Sequence, residues 1–199
     1  GALLSIAATG DGRTGGTLAG RTRVALTAEN IQNLGGTVTV DNIQIAARQN
    51  FDMQGGSIEA GGLPDLLAGQ HLTAASVTHF SLSRDGGRRA RHSFPPRPAL
   101  YVQNPDGQLR LAAANDVTLL AAQVVSQGST NLYAGGDLTL GTVSVKEANH
   151  TGGKGYRNES GSSTEIGTYI EGHNDVTLLA GSTLTARAAN VSAQQGTVL

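Results

Sequence analysis

The chain has 199 residues, which is enough to bury one sizeable core. Its formal net charge of −1 argues against nucleic acid as the main partner, and the absence of cysteine excludes a disulfide-stabilised scaffold. Only 4% of the residues are aromatic and 28 are glycine, so the apolar content is mostly Val, Leu, Ile and Ala. This composition suits short pleated strands around a narrow interior better than the core of a globular enzyme.

The first sixty residues repeat with a period of 20. A Gly-Gly pair is followed each time by a polar and then an apolar residue, at Gly15-Gly16-Thr17-Leu18, Gly35-Gly36-Thr37-Val38 and Gly55-Gly56-Ser57-Ile58. Alternation places the apolar residues on one face of a strand, and glycine suits the tight corners between strands. The pattern predicts an all-β fold, a right-handed parallel β-helix with about 20 residues per coil and about seven coils.

The second half also repeats. Residues 115–121 return almost unchanged as residues 174–180, and a third related run covers 136–140. The separation of 59 residues is close to three steps of 20, so we expect the two similar segments to occupy the same position in the coil. The acidic residues that precede these strands suit turn capping without a metal. The expected inward coil positions are Val117, Leu119, Leu138, Leu140, Val176 and Leu178.

A first interruption of the repeat covers about residues 83–108. Residues 83–98 contain five arginines, one aspartate and three of the five prolines, and proline disrupts a central ladder of strands. We therefore expect this segment to leave the coil as an insertion. One interpretation is a loop that binds an anion, a lipid headgroup or a protein partner, and the other is a solvated insertion without a binding role. The candidate residues are Arg84, Arg88, Arg89, Arg91 and Arg97.

A second interruption covers about residues 146–169 and is rich in Gly and Ser. It lies between the alternating segments Thr142-Val143-Ser144-Val145 and Thr168-Tyr169-Ile170, which favours an excursion on the side of the rod and suggests a β-hairpin. Tyr156, Arg157 and Tyr169 are the candidate contact residues of this excursion.

No set of residues in the sequence is typical of a catalytic or metal site. The five histidines have no zinc-site spacing, no Gly-x-Ser-x-Gly nucleophile motif occurs, and the acidic residues are few. We therefore predict no catalytic residues, no metal and no cofactor. A β-helical polysaccharide lyase or hydrolase stays open as the alternative, because acidic and basic residues from the two insertions could converge.

Three segments carry a resemblance to a known family. Residues 132–143 and 174–191 resemble the haemagglutinin repeats of filamentous haemagglutinin-like exoproteins, and residues 163–168 resemble the interruption between such coils. Residues 84–98 depart most clearly from the family pattern. The resemblance implies a large exoprotein of a Gram-negative bacterium, exported by two-partner secretion.

This family membership would imply a secreted location at the bacterial surface. The partners would be an outer-membrane transporter during export and then a host or target-cell surface, as in adhesins and contact-dependent growth-inhibition proteins that deliver a toxin. The chain ends within an alternating pattern, at residues 196–199, and has neither a signal peptide nor a transmembrane run. We therefore expect residues 1–199 to be one β-helical stem segment of a larger protein.

Overall fold

The computed structural model describes the backbone of residues 2–9, 14–76, 79–85, 87–93, 97–153 and 156–199, and the side chains of 2–7, 16–76, 97–145 and 161–199. All regular elements in these ranges are β-strands. No helix capable of crossing a membrane occurs in them. The all-β class predicted from the sequence is therefore confirmed.

The described ranges contain 24 strands. In chain order they are β1 (Leu3–Thr9), β2 (Thr14–Gly15), β3 (Thr17–Ala19), β4 (Arg23–Ala28), β5 (Asn30–Leu34), β6 (Thr37–Val40), β7 (Asn42–Ala47), β8 (Phe51–Gln54), β9 (Ser57–Ala60), β10 (Pro64–Ala68), β11 (Leu72–Ala75), β12 (His79–Asp85), β13 (Gly87–Ser93), β14 (Ala99–Val102), β15 (Gln108–Ala113), β16 (Val117–Leu120), β17 (Gln123–Ser126), β18 (Ser129–Ala134), β19 (Leu138–Gly153), β20 (Tyr156–Gly167), β21 (Tyr169–Gly172), β22 (Val176–Ala180), β23 (Leu184–Ala186) and β24 (Asn190–Ala193).

The coil strands form three parallel sheets that the chain visits in a fixed order. Sheet 1 contains β1, β5, β8, β11, β16, the start of β19 and β23; sheet 2 contains β3, β6, β9, β14, β17, β21 and β24; sheet 3 contains β4, β7, β10, β15, β18 and β22. Each strand pairs in parallel with the equivalent strand of the next coil, and Ile31 pairs with Phe51, which pairs with Leu72. The chain thus forms seven coils of a right-handed parallel β-helix, as predicted.

Inward-facing residues of successive coils form apolar columns. In sheet 1, Leu72, Val117 and Leu138 are in register and at most 1% exposed, and the other two sheets contain equivalent columns. Complete burial of such a side chain contributes about 1.5–3 kcal/mol. Among the predicted inward positions, Val117, Leu119, Leu138, Leu140 and Val176 are fully buried, and Leu178 is half-buried against the core.

The corner between sheets 1 and 2 is made in two ways. In four coils a residue within two positions after the sheet 1 strand has a left-handed backbone: Gly35 (φ 77°), Gly55 (φ 66°), Ala121 (φ 51°) and Ala188 (φ 45°). In the first, fourth and sixth coils the chain leaves instead through the antiparallel pairs β1–β2, β12–β13 and β19–β20. The Gly pairs of the repeat lie at this corner, where a left-handed turn needs little energy only for glycine.

Aspartates at the residue before a strand connect successive coils. Asp116 Oδ1 accepts a hydrogen bond from the backbone N–H of Asp137 (2.9 Å), and Asp137 Oδ1 accepts one from Thr183 (3.0 Å). Asp175 Oδ1 accepts the N–H of Thr197 in the same manner (2.8 Å). These carboxylates therefore cap the next coil, as the sequence suggested.

The expectation that residues 115–121 and 174–180 occupy the same coil position is wrong. Val117 pairs with Leu138 in sheet 1, whereas Val176 pairs with Thr130 in sheet 3. The 59-residue separation includes the β19–β20 hairpin, so it does not correspond to a whole number of coils. The shared motif encodes a capped corner followed by a strand, and any of the three sheets can use it.

Both insertions have bounds that differ from those expected. The first lies between β11 and β14, and β14 is already back in the coil with Leu100 and Val102 each 2% exposed. The second begins at Thr142 rather than near residue 146, because β19 continues from the coil into the hairpin as one strand. In both cases the apolar-polar alternation continues across the junction, so the pattern does not mark where the coil path ends.

Candidate functional site

The two insertions meet in one antiparallel sheet, which we call the hairpin sheet, with the strand order β12-β13-β19-β20. Strands β12 and β13 pair from His79–Ser93 to Asp85–Gly87. Strand β13 then pairs with β19 at Arg89 and Asn149. The hairpins come from the fourth and sixth coils, so they join across the fifth. The sequence showed two separate interruptions and did not predict this pairing.

The hairpin sheet is a direct continuation of sheet 1. The first residues of β19 pair with β16 inside the coil, from Leu138 to Gly141. The following residues of the same strand pair with β20, from Thr142–Gly167 to Gly153–Tyr156. An uninterrupted strand therefore positions the hairpin sheet relative to the rod.

Two hydroxyl groups anchor the bases of the hairpins to the fifth coil. Thr168 is 1% exposed, and its Oγ1 lies 2.8 Å from the carbonyl oxygen of Leu119 and 2.9 Å from that of Gly141. Ser76 Oγ donates to the carbonyl oxygen of Ala121 at 3.1 Å. These bonds satisfy carbonyl groups at the point where the chain leaves the coil, which matters because buried polar groups without partners are costly.

The described part of the second hairpin has hydrogen-bonded polar side chains on one face and a buried valine on the other. Glu165 accepts hydrogen bonds from Thr142 Oγ1 (3.0 Å) and Ser144 Oγ (3.1 Å). Val145, which directly follows Ser144 in the strand, is 6% exposed. Adjacent strand residues point to opposite faces, so the hairpin near the rod has distinct polar and apolar faces.

Four of the five candidate arginines belong to the hairpin sheet. Arg84 pairs with Arg88, and Arg89 pairs with Ser83 on one side and Asn149 on the other. Arg91 pairs with Ser81. The side chains of these four lie outside the described residues. Arg97 is exposed and precedes β14, so it lies outside the hairpin strands.

The three candidate contact residues of the second excursion fall in two places. Tyr156 and Arg157 pair with Gly153 and Gly152 at the far end of the hairpin, and their side chains lie outside the described residues. Tyr169 is instead the first residue of β21 in sheet 2, beyond the hairpin. Tyr169 therefore lies on the surface of the β-helix and not in the hairpin.

Tyr169 belongs to a hydrogen-bonded cluster on the outer face of sheet 2. Its hydroxyl donates to Glu171, which also accepts from Gln194 Nε2. The bond from Tyr169, followed by that from Gln194, lowers the pKa of the Glu171 carboxyl. The bond to Glu171 raises the pKa of the Tyr169 hydroxyl, because an ionised oxygen could no longer donate it.

The ionisable residues show no arrangement typical of a metal centre. In the part of the chain that the structure describes, no three His, Cys, Asp or Glu residues are grouped to hold a metal. His71 Nδ1 lies 3.1 Å from Asp116 Oδ2, but this pair belongs to the column of residues that caps the coils.

Comparison with protein families identifies the second half of the chain. Residues 102–198 match the family model described as Hemagglutinin repeat, which covers the coils from β15 onwards and the β19–β20 hairpin. The β12–β13 hairpin lies outside the match. The search of curated proteins and the search of solved structures each gave no match. Residues 102–198, just under half of the chain, are therefore similar to the hemagglutinin repeat, and the comparisons give no such likeness for the residues before them.

Proposed function

We propose that this chain is a stem segment of a secreted bacterial surface exoprotein, in which the β-helix is the scaffold and the hairpin sheet is the interaction element. The observation that carries the proposal is the coincidence of a seven-coil parallel β-helix with a hemagglutinin-repeat match. The role is structural and adhesive rather than catalytic. The stem would belong to an adhesin or to a growth-inhibition protein that delivers a toxin.

The architecture of the rod suits export through an outer-membrane transporter. Each coil contacts mainly its neighbours, so coils can fold one after another as the chain emerges. Each added coil buries a new layer of apolar side chains and completes a ladder of hydrogen bonds. Folding outside the membrane would then favour outward movement of the chain.

This export mechanism is testable at the inward columns of the fifth coil. Val117→Asp with Leu119→Asp places two carboxylates at positions that are 0% exposed, and we expect surface display of the exoprotein to fall. Thr118→Asp is the matched control, because Thr118 lies between them on the outer face of the same strand. Normal display of the doubly substituted stem would contradict the proposal.

We further propose that the arginines of the hairpin sheet bind an anionic partner at the host or target-cell surface. Its strands β12 and β13 together carry four arginines against one aspartate. Exposed cationic clusters attract anionic headgroups and lipopolysaccharide through interactions that salt screens. The arginines have this role in our proposal, and Tyr156 and Arg157 would contact the partner at the tip of the second hairpin.

Vesicles that contain anionic lipid or lipopolysaccharide test this surface. We expect Arg88→Gln, Arg89→Gln and Arg91→Gln together to weaken binding, and added salt to weaken binding of the unaltered chain. Arg110→Gln is the control, because Arg110 lies on the outer face of sheet 3, 3.7 Å from Asp65. Binding that is insensitive both to the triple substitution and to ionic strength would rule out the charge-based contact.

The choice between adhesin and toxin-delivery stem needs the full-length exoprotein. Replacing residues 142–167 by a short turn removes the β19–β20 hairpin and keeps both coil strands that it connects. We expect an adhesin to lose attachment to host cells, and a growth-inhibition protein to lose killing of neighbouring bacteria in co-culture. Retention of both activities would show that the hairpin sheet is not the interaction element.

A further inference from the structure

Strand β20 is an edge strand of the hairpin sheet. In the part of the chain that the structure describes, it pairs with β19 and with no other strand. Residues 161–165 of this strand are exposed. An edge strand presents a row of unpaired N–H and C=O groups, which a strand of another molecule can use. Natural sheets often protect such edges with Pro or Lys, and residues 156–167 contain neither.

The accessible length of this edge limits how a second strand can pair with it. At the tip of the hairpin, the strand begins at Tyr156. At the base, a Cβ on Gly167 would collide with the carbonyl oxygen of Ala188, so the seventh coil leaves no room for a further strand there. Among the described residues, the accessible edge therefore runs from Tyr156 to Ile166, and its midpoint is Gly161.

Two copies of β20 can pair antiparallel about a two-fold axis at this midpoint. Opposed residues of an antiparallel pair must both direct their backbone groups toward each other or both direct them away. Because this direction alternates along a strand, an axis through a residue meets the condition, and an axis between two residues violates it. With the axis at Gly161, residues equally distant from Gly161 on its two sides lie opposite each other across the interface.

This register makes the charges of the two copies complementary. Arg157 of one copy lies opposite Glu165 of the other, and the contact occurs twice. Within the described residues, Glu165 accepts hydrogen bonds from two hydroxyl groups and pairs with no cation. An axis one residue nearer the base would place Glu159 opposite Glu165, and like charges directly opposite each other are destabilising. Charge therefore selects the same register as the length of the edge.

The other face of the sheet agrees with this register. Tyr156 of one copy lies opposite Ile166 of the other, which is half-buried in the single chain. Thr164 pairs with Val145 within the hairpin, so the even-numbered residues of β20 share the face of this buried valine. Aromatic and β-branched side chains directly opposite each other stabilise a pair of strands. The polar face thus gains two ion pairs and the apolar face gains two hydrophobic contacts.

We propose that two copies of this chain pair through β20, so that their hairpin sheets form one continuous sheet with the two rods at opposite ends of the paired strands. The interface is isologous and closes at two copies, because each β20 has a single free edge. This inference goes beyond the stem function, because the stem would fold and reach the surface without a second copy. Arg157 then binds the second copy, whereas the arginines of β12 and β13 remain available for the anionic partner.

Sedimentation velocity of the 199-residue chain at rising micromolar concentration measures the association. We expect a reversible equilibrium between monomer and dimer. Arg157→Glu and Glu165→Arg should each raise the dimer dissociation constant about tenfold, because each dimer contains the ion pair twice. The double substitution should restore the dimer. Within one copy Arg157 lies opposite Gly152 and Glu165 opposite Ser144, so the exchange creates no like-charged pair in the hairpin.

Arg110→Glu is the control for the change in net charge, because Arg110 lies on the outer face of sheet 3. We expect it to leave the dissociation constant unchanged. A chain that stays monomeric would overturn the proposal, and so would assemblies that grow beyond the dimer. Single substitutions that act no more strongly than the control, or a double substitution that fails to restore the dimer, would also overturn it.

A disulfide at the two-fold axis tests the register. The chain contains no cysteine, so a single introduced thiol can pair only with its copy. Gly161→Cys places two cysteines opposite each other with Cα atoms about 4.5–5.5 Å apart, a distance that a disulfide spans. Ser163→Cys is the matched control, because its two copies would lie about 13 Å apart along the strands.

After mild oxidation, we expect Gly161→Cys to give a covalent dimer in non-reducing gels and Ser163→Cys to stay monomeric. Cross-linking that is absent at Gly161, or equally fast at both positions, would overturn the proposal. Surface display of the stem and binding to anionic vesicles report separately on the proposed function.

Discussion

Gly56→Ala probes the corner that defines the coil. Gly56 has φ +77°, and a Cβ there would lie 2.5 Å from the carbonyl oxygen of Gly36 and 3.0 Å from Asn33 Oδ1. A left-handed backbone costs an L-residue about 1–2 kcal/mol, and overpacking typically costs about 1–3 kcal/mol more. Because the close atoms belong to the preceding coil's backbone and to a buried side chain, neither can move freely. We therefore expect the free energy of unfolding to fall by about 3 kcal/mol.

Urea denaturation followed by far-ultraviolet circular dichroism measures this loss. Gly62→Ala is the matched control, because Gly62 has no left-handed backbone and its nearest obstacle is Asn42 Oδ1 at 3.1 Å. We expect a change below about 1 kcal/mol there. The midpoint of Gly56→Ala should fall without a change in slope, since the surface exposed on unfolding stays the same. A loss no larger than that of the control would show that the corner is less constrained than the structure indicates.

Three further predictions concern the hairpin base, the core and the outer cluster. Thr168→Val removes the hydroxyl group and should lower the free energy of unfolding by about 1 kcal/mol in urea melts. Thr168→Ser keeps the hydroxyl group and should retain most of the wild-type stability. Leu119→Ala should cost about 2–5 kcal/mol in the same assay, whereas Leu179→Ala, at a position 56% exposed, should change little. Tyr169→Phe should raise the pKa of Glu171 in a carboxyl NMR titration. Because the pKa of Glu171 is lowered in the folded state, the stability that this carboxylate contributes is lost as the pH falls through that pKa. Equal effects of the two Thr168 variants would contradict the argument for the hairpin base, and equal effects of the two leucine variants would contradict the argument for the core. An unchanged Glu171 titration would contradict the argument for the outer cluster.

The sequence predicted the rod well because its signals are local. A strand with inward apolar residues, such as Val117 and Leu119, is recognisable within a few residues, and the Gly pairs mark corners where left-handed turns occur. The sheet to which a strand belongs is not a local property. The similar segments at 115–121 and 174–180 therefore fall in different sheets, although their spacing suggested otherwise.

The hairpin sheet could not be predicted from the sequence for a related reason. The pairing of Arg89 with Asn149 joins two insertions that are far apart in the chain, and neither insertion specifies the other. Thr168 did offer a signal, since it is a polar residue directly before the apolar alternation of β21 resumes.

The corner between sheets 1 and 2 explains how such a rod can vary its surface without losing its core. A single left-handed residue such as Ala121 turns the chain in the fifth coil, while the coils before and after it leave through hairpins at the same place. The strands on both sides keep their register in either case, since β16 pairs with β11 and with β19. Hydroxyl groups of Ser76 and Thr168 supply the bonds that secure each exit. The apolar columns thus constrain only the coil strands, and long insertions at this corner leave the core unchanged.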